Sequence, residues 1–455
     1  MTSTASSTFD LPALMADLHD LELITDPTQI TKLSSDCYYF SPVLHPLLSD
    51  KRGDLVVRAA NEPEVLRVAE ACVRHRVPLT VRGAGTGNYG QCMPLSGGVI
   101  LDLTRMQTVK WIKPGVACVE PGVKLAAIDK QAHKIGWEIR MAPSTYRTAT
   151  IGGFIAGGSG GVGSITYGQL RDRGNLLALR VVTMEAQPRV IELRGDDVQK
   201  ANHAYGTNGI ITELEIPLAP AYAWAEAIVT FPDFMAAARF GQALAHSDGL
   251  IKKLVTVCAD PIPTYFTALR SVIPTHHHAV LVMIAECCLE PFRELIKEWS
   301  GHLCYEKTAQ EAAKGVTLME YSWNHTTLHA RCVDASLTYL QTLFPADPDL
   351  KLVEQMYHHY GEEVMMHLEF ARAMGTMHPI GLQVVRYTTA ERLNQIITEH
   401  EAQGAVIFNP HTYILEDGGM KTVDPEQLAF KEQVDPYGLL NPGKMRAWWE
   451  RAGHG

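Results

Sequence analysis

Between residues 54 and 103 the apolar positions switch between two periods. Asp54–Ala59 and Pro78–Arg82 are short β-type runs, while residues 65, 66, 68, 69, 72 and 73 fall at helical spacing. Asn61 is placed to cap that helix, with Pro63 in its first turn and its end at His75. Further strands are expected at Val99–Leu103, Leu176–Met184 and Arg189–Leu193, and in the segment ending at Ile216. Ahead of them, Leu11–Leu23 reads as a short helix, followed by a turn-rich stretch to Pro46. The texture changes near Pro217–Trp224. Residues 225–405 carry longer helical patterns at Phe234–Ala245, Glu290–Ser300 and Val353–Met374, separated by strands at Val255–Val257, Ala279–Ala285 and Gly381–Tyr387. That is the pattern of a separate α+β domain.

Seven of the twelve positions from Gly152 to Gly163 are glycine. Each gives up more backbone entropy on folding than another residue would. The run is interleaved with Ile151, Phe154, Ile155, Val162 and Ile165, which need burial, so a flexible linker is a poor reading. Backbone passing close to a flat or charged ligand, presenting N–H groups and no side chains, is the better one.

Two other loops imitate nucleotide motifs. Gly85–Gly90 matches GxGxxG in spacing, but Gln91, Pro94, Gly97 and Gly98 follow where a helix would have to begin. A Rossmann reading fails, although a loop of backbone N–H groups still suits a phosphate. Gly438–Lys444 approaches a Walker A loop, yet Met445 stands where Ser or Thr would hold magnesium and Pro442 removes a donor.

The 455 residues are enough for two or three domains. A net charge of −10 with no basic stripe argues against a nucleic-acid partner. Nine cysteines without CxxC spacing fit neither a zinc site nor an iron–sulfur relay, and suggest reduced thiols in a cytoplasmic protein. No metal is expected. The N-terminus lacks a secretory pattern, and the apolar run at 279–285 is too short for a membrane span.

Five segments in order resemble one family: Arg82–Gly87, Thr150–Gly158, Tyr167-Gly168 with Arg171-Asp172, Gly206–Leu214, and Asp435–Lys444. Together they are similar to the FAD-linked oxidases of the vanillyl-alcohol oxidase/p-cresol methylhydroxylase (PCMH) type, closest in texture to the FAD subunits of glycolate and D-lactate dehydrogenases. The resemblance covers about residues 40–222 and the last 45. It implies an α+β fold: a two-subdomain PCMH-type FAD-binding domain, an α+β cap domain for substrate, and a C-terminal tail returning to the FAD domain. On this reading 1–40 is a lead-in, 41–222 the FAD domain, 223–408 the cap and 409–455 the tail.

The resemblance also implies which residues hold FAD. Arg82, Gly83, Ala84, Gly85, Thr86, Gly87 and Asn88 would form the first loop. Pro143, Ser144, Thr145, Thr150, Gly152, Gly153, Ala156, Gly157, Gly160, Gly161 and Ile165 would form the second. Gly209, Ile210 and Ile211 would lie near the adenosine, with Asn441 and Lys444 closing the site from the tail. Covalently linked members carry His where Thr86 stands, and Cys near the start of the second loop, which here reads Met141 to Thr145. Non-covalent FAD is therefore expected.

The expected reaction is oxidation of a CH–OH group, with a 2-hydroxy acid such as glycolate or lactate favoured. A base takes the hydroxyl proton while hydride passes to flavin N5. Alternatives are a sugar, lactone, phenol or secondary metabolite as substrate, or an inactive FAD-binding partner subunit. The candidate bases are His411 and His325, with Tyr413 or Glu416 assisting, and Arg386, with Arg331 behind it, is the candidate clamp for an anionic substrate. His325 and His329 stand at i, i+4, as a metal pair on a helix would, but a hydrogen-bonded structural pair is the favoured reading. The family's His-x-Gly-Asp-Gly-Asn-x-His segment is missing from the sequence. Electrons would leave to oxygen, a quinone, a carrier protein or a partner subunit, and a homo-oligomer is allowed.

Overall fold

The computed structural model describes residues 9–451. A four-stranded sheet lies at the N-terminal end, in the order Glu22–Ile24, Leu55–Arg58, Val99–Asp102, Leu79–Arg82. Its last three strands are parallel neighbours. Parallel pairing needs crossovers, and the helix Glu62–Arg74 supplies one. Asn61 caps that helix by accepting from Glu64 N at 3.0 Å, as its side chain predicts. Val65, Val68, Ala69 and Cys72 pack it into the sheet.

A second, antiparallel sheet is built on the long strand Ile210–Pro220. Val116–Val119 and Ala178–Val182 flank it, and Trp137–Ile139 pairs with its far end. The chain then enters an eight-stranded antiparallel sheet at Trp224–Phe231. Its strand His278–Ala285 is buried at every position, because helices cover one face and the 318–339 region packs on the other. The tail comes back to the first sheet: Leu440 bridges Leu79, and Asn441 N donates to Leu79 O at 2.7 Å. The result is an α+β fold in which the eight-stranded sheet and the two sheets before it border one cleft, while a fourth sheet of three strands, Leu337–Tyr339, Val384–Arg386 and Val364–Met365, supplies none of its lining.

Several sequence expectations are corrected. The helix expected over Leu11–Leu23 ends at Asp17, and residues 22–24 become an edge strand of the first sheet. The lead-in is therefore part of this half of the molecule. The expected helix Val353–Met374 spans Lys351–Tyr360 and stops at Gly361, whose φ of +52° breaks it. Residues 364–365 and 367–373 are strands, since Met365, Met366, Leu368 and Phe370 find burial on sheets. The expected strand Gly381–Tyr387 is divided at Leu382-Gln383 between two sheets.

The glycine run contains a short helix, Ile151–Gly157. Some of its glycines answer to the protein rather than to a ligand. A Cβ on Gly152 would lie 2.5 Å from Pro121 Cβ. Gly163 has φ +101° and presses on Arg140 O.

Candidate active site

One cavity of about 960 Å³ opens where the four-, six- and eight-stranded sheets meet. That is at the upper end of the ~300–1,000 Å³ typical of small-molecule sites. One wall is made by residues 83–88 and 143–145 with parts of 149–160 and 206–211, the other by Trp323, Asn324, His325, Leu328, Gln341, Leu343, Ile380, Leu382 and Phe408. Tyr39, Phe40, Tyr89, His203 and Tyr205 also line it, as do Gln169, Arg171 and Asp172.

The two glycine-rich loops are tied together by Gln91, whose Nε2 donates to Gly157 O at 2.8 Å. Between them, Thr150 Oγ1 is buried without a hydrogen-bond partner. A Cβ on Gly83 would sit 2.1 Å from that oxygen. A buried, unsatisfied hydroxyl beside bare backbone is a site arranged for a polar ligand to complete.

Of the residues expected to hold FAD, Gly83–Asn88, Pro143, Ser144, Thr145, Thr150, Gly152, Gly153, Ala156, Gly157, Gly160, Gly209 and Ile211 line the cavity. The others support it from behind. Arg82 donates to Ser35 O at 2.7 Å. Gly161 leaves no room for a Cβ beside Ala142 O, 2.1 Å away. Ile165 joins the core of the eight-stranded sheet and Ile210 the core of the first sheet. Asn441 donates to Gln91 O at 2.8 Å and Lys444 to Gly90 O at 2.5 Å, so the tail props up the first loop. Lys444 is fully buried near Asp36; burial raises the Asp36 carboxyl and lowers the Lys444 ammonium, each opposing the other's shift.

The five catalytic candidates separate clearly. His325, on the helix Asn324–Val333, lines the cavity. Its Nδ1 is 3.1 Å from Glu320 Oε2, and its Nε2 has no hydrogen-bond partner among the described residues. With Nδ1–H given to the carboxylate, Nε2 carries the lone pair, the arrangement of a carboxylate-oriented general base. The His325 bond holds the Glu320 carboxyl below its ordinary range. His329 faces away, bonded to Glu320 O and stacked on Tyr321 at 4.6 Å.

His411 is set outside the cavity lining, which corrects its reading as a base. Its Nε2 donates to Tyr339 O at 2.8 Å, so Nδ1 must accept from Ser41 Oγ, also at 2.8 Å. No lone pair is left, and burial lowers its pKa to about 4. Tyr413 packs beside Lys444. Glu416 accepts from Arg446 N and Ala447 N, capping the last helix. Arg386 pairs with Glu362 at 3.1 Å on the surface, and Arg331 donates to Tyr39 O at 3.1 Å. None of these lines the cavity. Among the described lining residues the Lys and Arg side chains reduce to Arg171, which is 2.9 Å from Asp424.

Sequence reading missed Tyr39 and Phe40, placed in the lead-in, and the stacked pair His203 and Tyr205, 5.5 Å apart. Burial holds His203 neutral, near a pKa of 4. The aromatic run Tyr38–Phe40 was the available signal.

Residues 53–193 match the family model described as an FAD binding domain. This chain carries an FAD-binding domain. A D-lactate dehydrogenase of Anaerostipes hadrus is 31% identical over 182 residues, 37% of this chain and 37% of that protein. The glycolate oxidase subunit GlcD of Bacillus subtilis is 25% identical over 430 residues, 87% of this chain and 89% of that protein. Among solved structures, an alkyldihydroxyacetonephosphate synthase superposes with a TM-score of 0.73 at 17% identity, over 95% of this chain and 85% of that one. The p-cresol methylhydroxylase structure gives 0.67 at 17% identity, over 95% of each chain. The FAD-linked domain thus occupies a whole-chain fold of the PCMH type. The loops and the unsatisfied Thr150 hydroxyl fit FAD. Among the described residues, no helix is long and apolar enough to cross a membrane.

Proposed function

We propose that this chain is an FAD-dependent oxidoreductase that oxidises the CH–OH group of a small organic substrate. The observation carrying this reading is that the glycine-lined wall and His325, held by Glu320 at 3.1 Å, line one cavity. Bound FAD would supply hydride acceptance. His325 Nε2 takes the hydroxyl proton, and Glu320 fixes the imidazole tautomer and balances the charge it acquires. Asn324 and Gln341, linked at 3.5 Å, offer polar groups to orient the hydroxyl. Trp323, Leu328 and Phe408 keep water from that wall.

FAD is bound without a covalent link, since Thr86 stands on the first loop and no cysteine occupies 141–145. A 2-hydroxy acid such as glycolate or lactate is the substrate reading favoured by the relatives. A second reading, an uncharged alcohol, is favoured by the cap wall, which carries no Lys or Arg among the described lining residues. Comparing anaerobic flavin reduction by glycolate and D-lactate with that by their methyl esters separates the two. The acceptor is oxygen, a quinone, a carrier protein or a partner subunit.

A further inference from the structure

Trp323 sits immediately before the helix that carries His325, with φ +50° and ψ −140°. Bulky residues avoid that backbone region, and it persists only where neighbours enforce it. Here the enforcement is visible. Trp323 N donates to Glu369 Oε1 at 2.6 Å, and Glu369 is buried on the cap strand His367–Ala373. The other carboxylate oxygen accepts from Thr256 Oγ1 at 2.7 Å.

His367 completes the arrangement. It is fully buried, and its Nε2 is 3.0 Å from Glu369 Oε1. Its Nδ1 lies 3.0 Å from Leu382 O, which can only accept, so Nδ1 carries a proton. Thr326, on the His325 helix, gives its hydroxyl proton to Tyr321 O at 2.7 Å and approaches His367 Nε2 at 3.4 Å. Its oxygen can therefore only accept from that nitrogen. A proton lies between His367 and Glu369, making a buried, charge-assisted pair.

We infer that Glu369 and His367 are positioning residues, a buried pair that pins the Trp323 amide and thereby holds the indole of Trp323 and the imidazole of His325 against the cavity. Neither residue lines the cavity. They act through the backbone of 321–326 and through Leu382, which does line it. The role of His325 rests on the proposed function, whereas the pinning of Trp323 does not.

The test uses the FAD-loaded full chain and the variant Glu369→Gln. A carboxamide cannot supply acceptors to Trp323, His367 and Thr256 together. Hydrogen exchange of the 318–328 peptide should rise at least tenfold, with exchange of 150–165 and FAD content unchanged. Reduction by glycolate or D-lactate, whichever bleaches the wild type, should fall at least tenfold. Unchanged exchange at 318–328 overturns the inference, as does loosening spread evenly over the protein. If Glu369→Gln does not fold, Thr256→Val removes one support only and should raise the same peptide's exchange about threefold; no change overturns the inference. Raised exchange together with an active His325→Ala variant would leave the pin standing and remove His325 as the base.

Discussion

His325 Nδ1 and Glu320 Oε2 lie 3.1 Å apart, and His325 lines the same cavity as the glycine-rich loops. This relationship fixes the imidazole through Nδ1 and leaves Nε2 without a partner among the described residues. Replacing His325 by Ala should lower flavin reduction about 10²–10⁴-fold, the usual range for loss of a positioned base. FAD content should stay at the wild-type level, because no predicted cofactor contact is touched. Anaerobic stopped-flow reduction with parallel flavin quantitation checks both.

Glu320→Gln keeps the shape beside His325 but not the charge. Reduction should slow about 10–100-fold, as for other groups that orient a reacting imidazole. The hydrogen bond from His325 already keeps Glu320 ionised well below neutrality. Its orienting effect should therefore persist in the wild type down to acidic pH, and the variant's deficit should be constant across the neutral range. A deficit that vanishes at neutral pH would argue for a different partner.

Stability should fall as the medium is acidified. His411 has a folded pKa of about 4 against about 6.5 unfolded, because burial disfavours its charged form. Between those values the unfolded chain binds the extra proton, so stability is full above pH 6.5 and is lost as pH drops toward 4. The loss is on the order of 3 kcal/mol for this group. His411→Gln should melt lower than wild type at pH 7 yet show a flatter pH dependence from 6.5 to 4. Thermal unfolding across that interval reads it directly.

Gly83→Ala would push a methyl group against Thr150, with the Cβ 2.1 Å from its oxygen. FAD affinity should drop at least tenfold while the apoprotein's far-UV signal is retained. Wild-type protein precipitated in acid should release all its flavin to the supernatant. Yellow colour left in the pellet would contradict non-covalent binding.

The glycine-rich wall of the cavity was legible in the sequence because glycines in register are a local signal, and backbone geometry writes itself into residue type. The helix cap at Asn61 was legible for the same reason. The opposite wall, with His325, was not. His411 and His325 look alike in a sequence, and only the third dimension places Tyr339 O and Ser41 Oγ on both nitrogens of one and Glu320 on one nitrogen of the other. The same holds for Val353–Met374, where an apolar run fits a helix or a buried strand until Gly361 and the neighbouring sheets decide. Tyr39 and Phe40 escaped because a lead-in gave no periodicity to suggest that it folds back over the cleft.

The most direct test is anaerobic titration of the visible spectrum of the FAD-loaded protein with glycolate, D-lactate and their methyl esters, beside His325→Ala. The account predicts that at least one of these hydroxyl compounds bleaches the wild-type flavin while the variant stays yellow. A protein that remains colourless with added FAD, or a variant that bleaches as fast as the wild type, would contradict it.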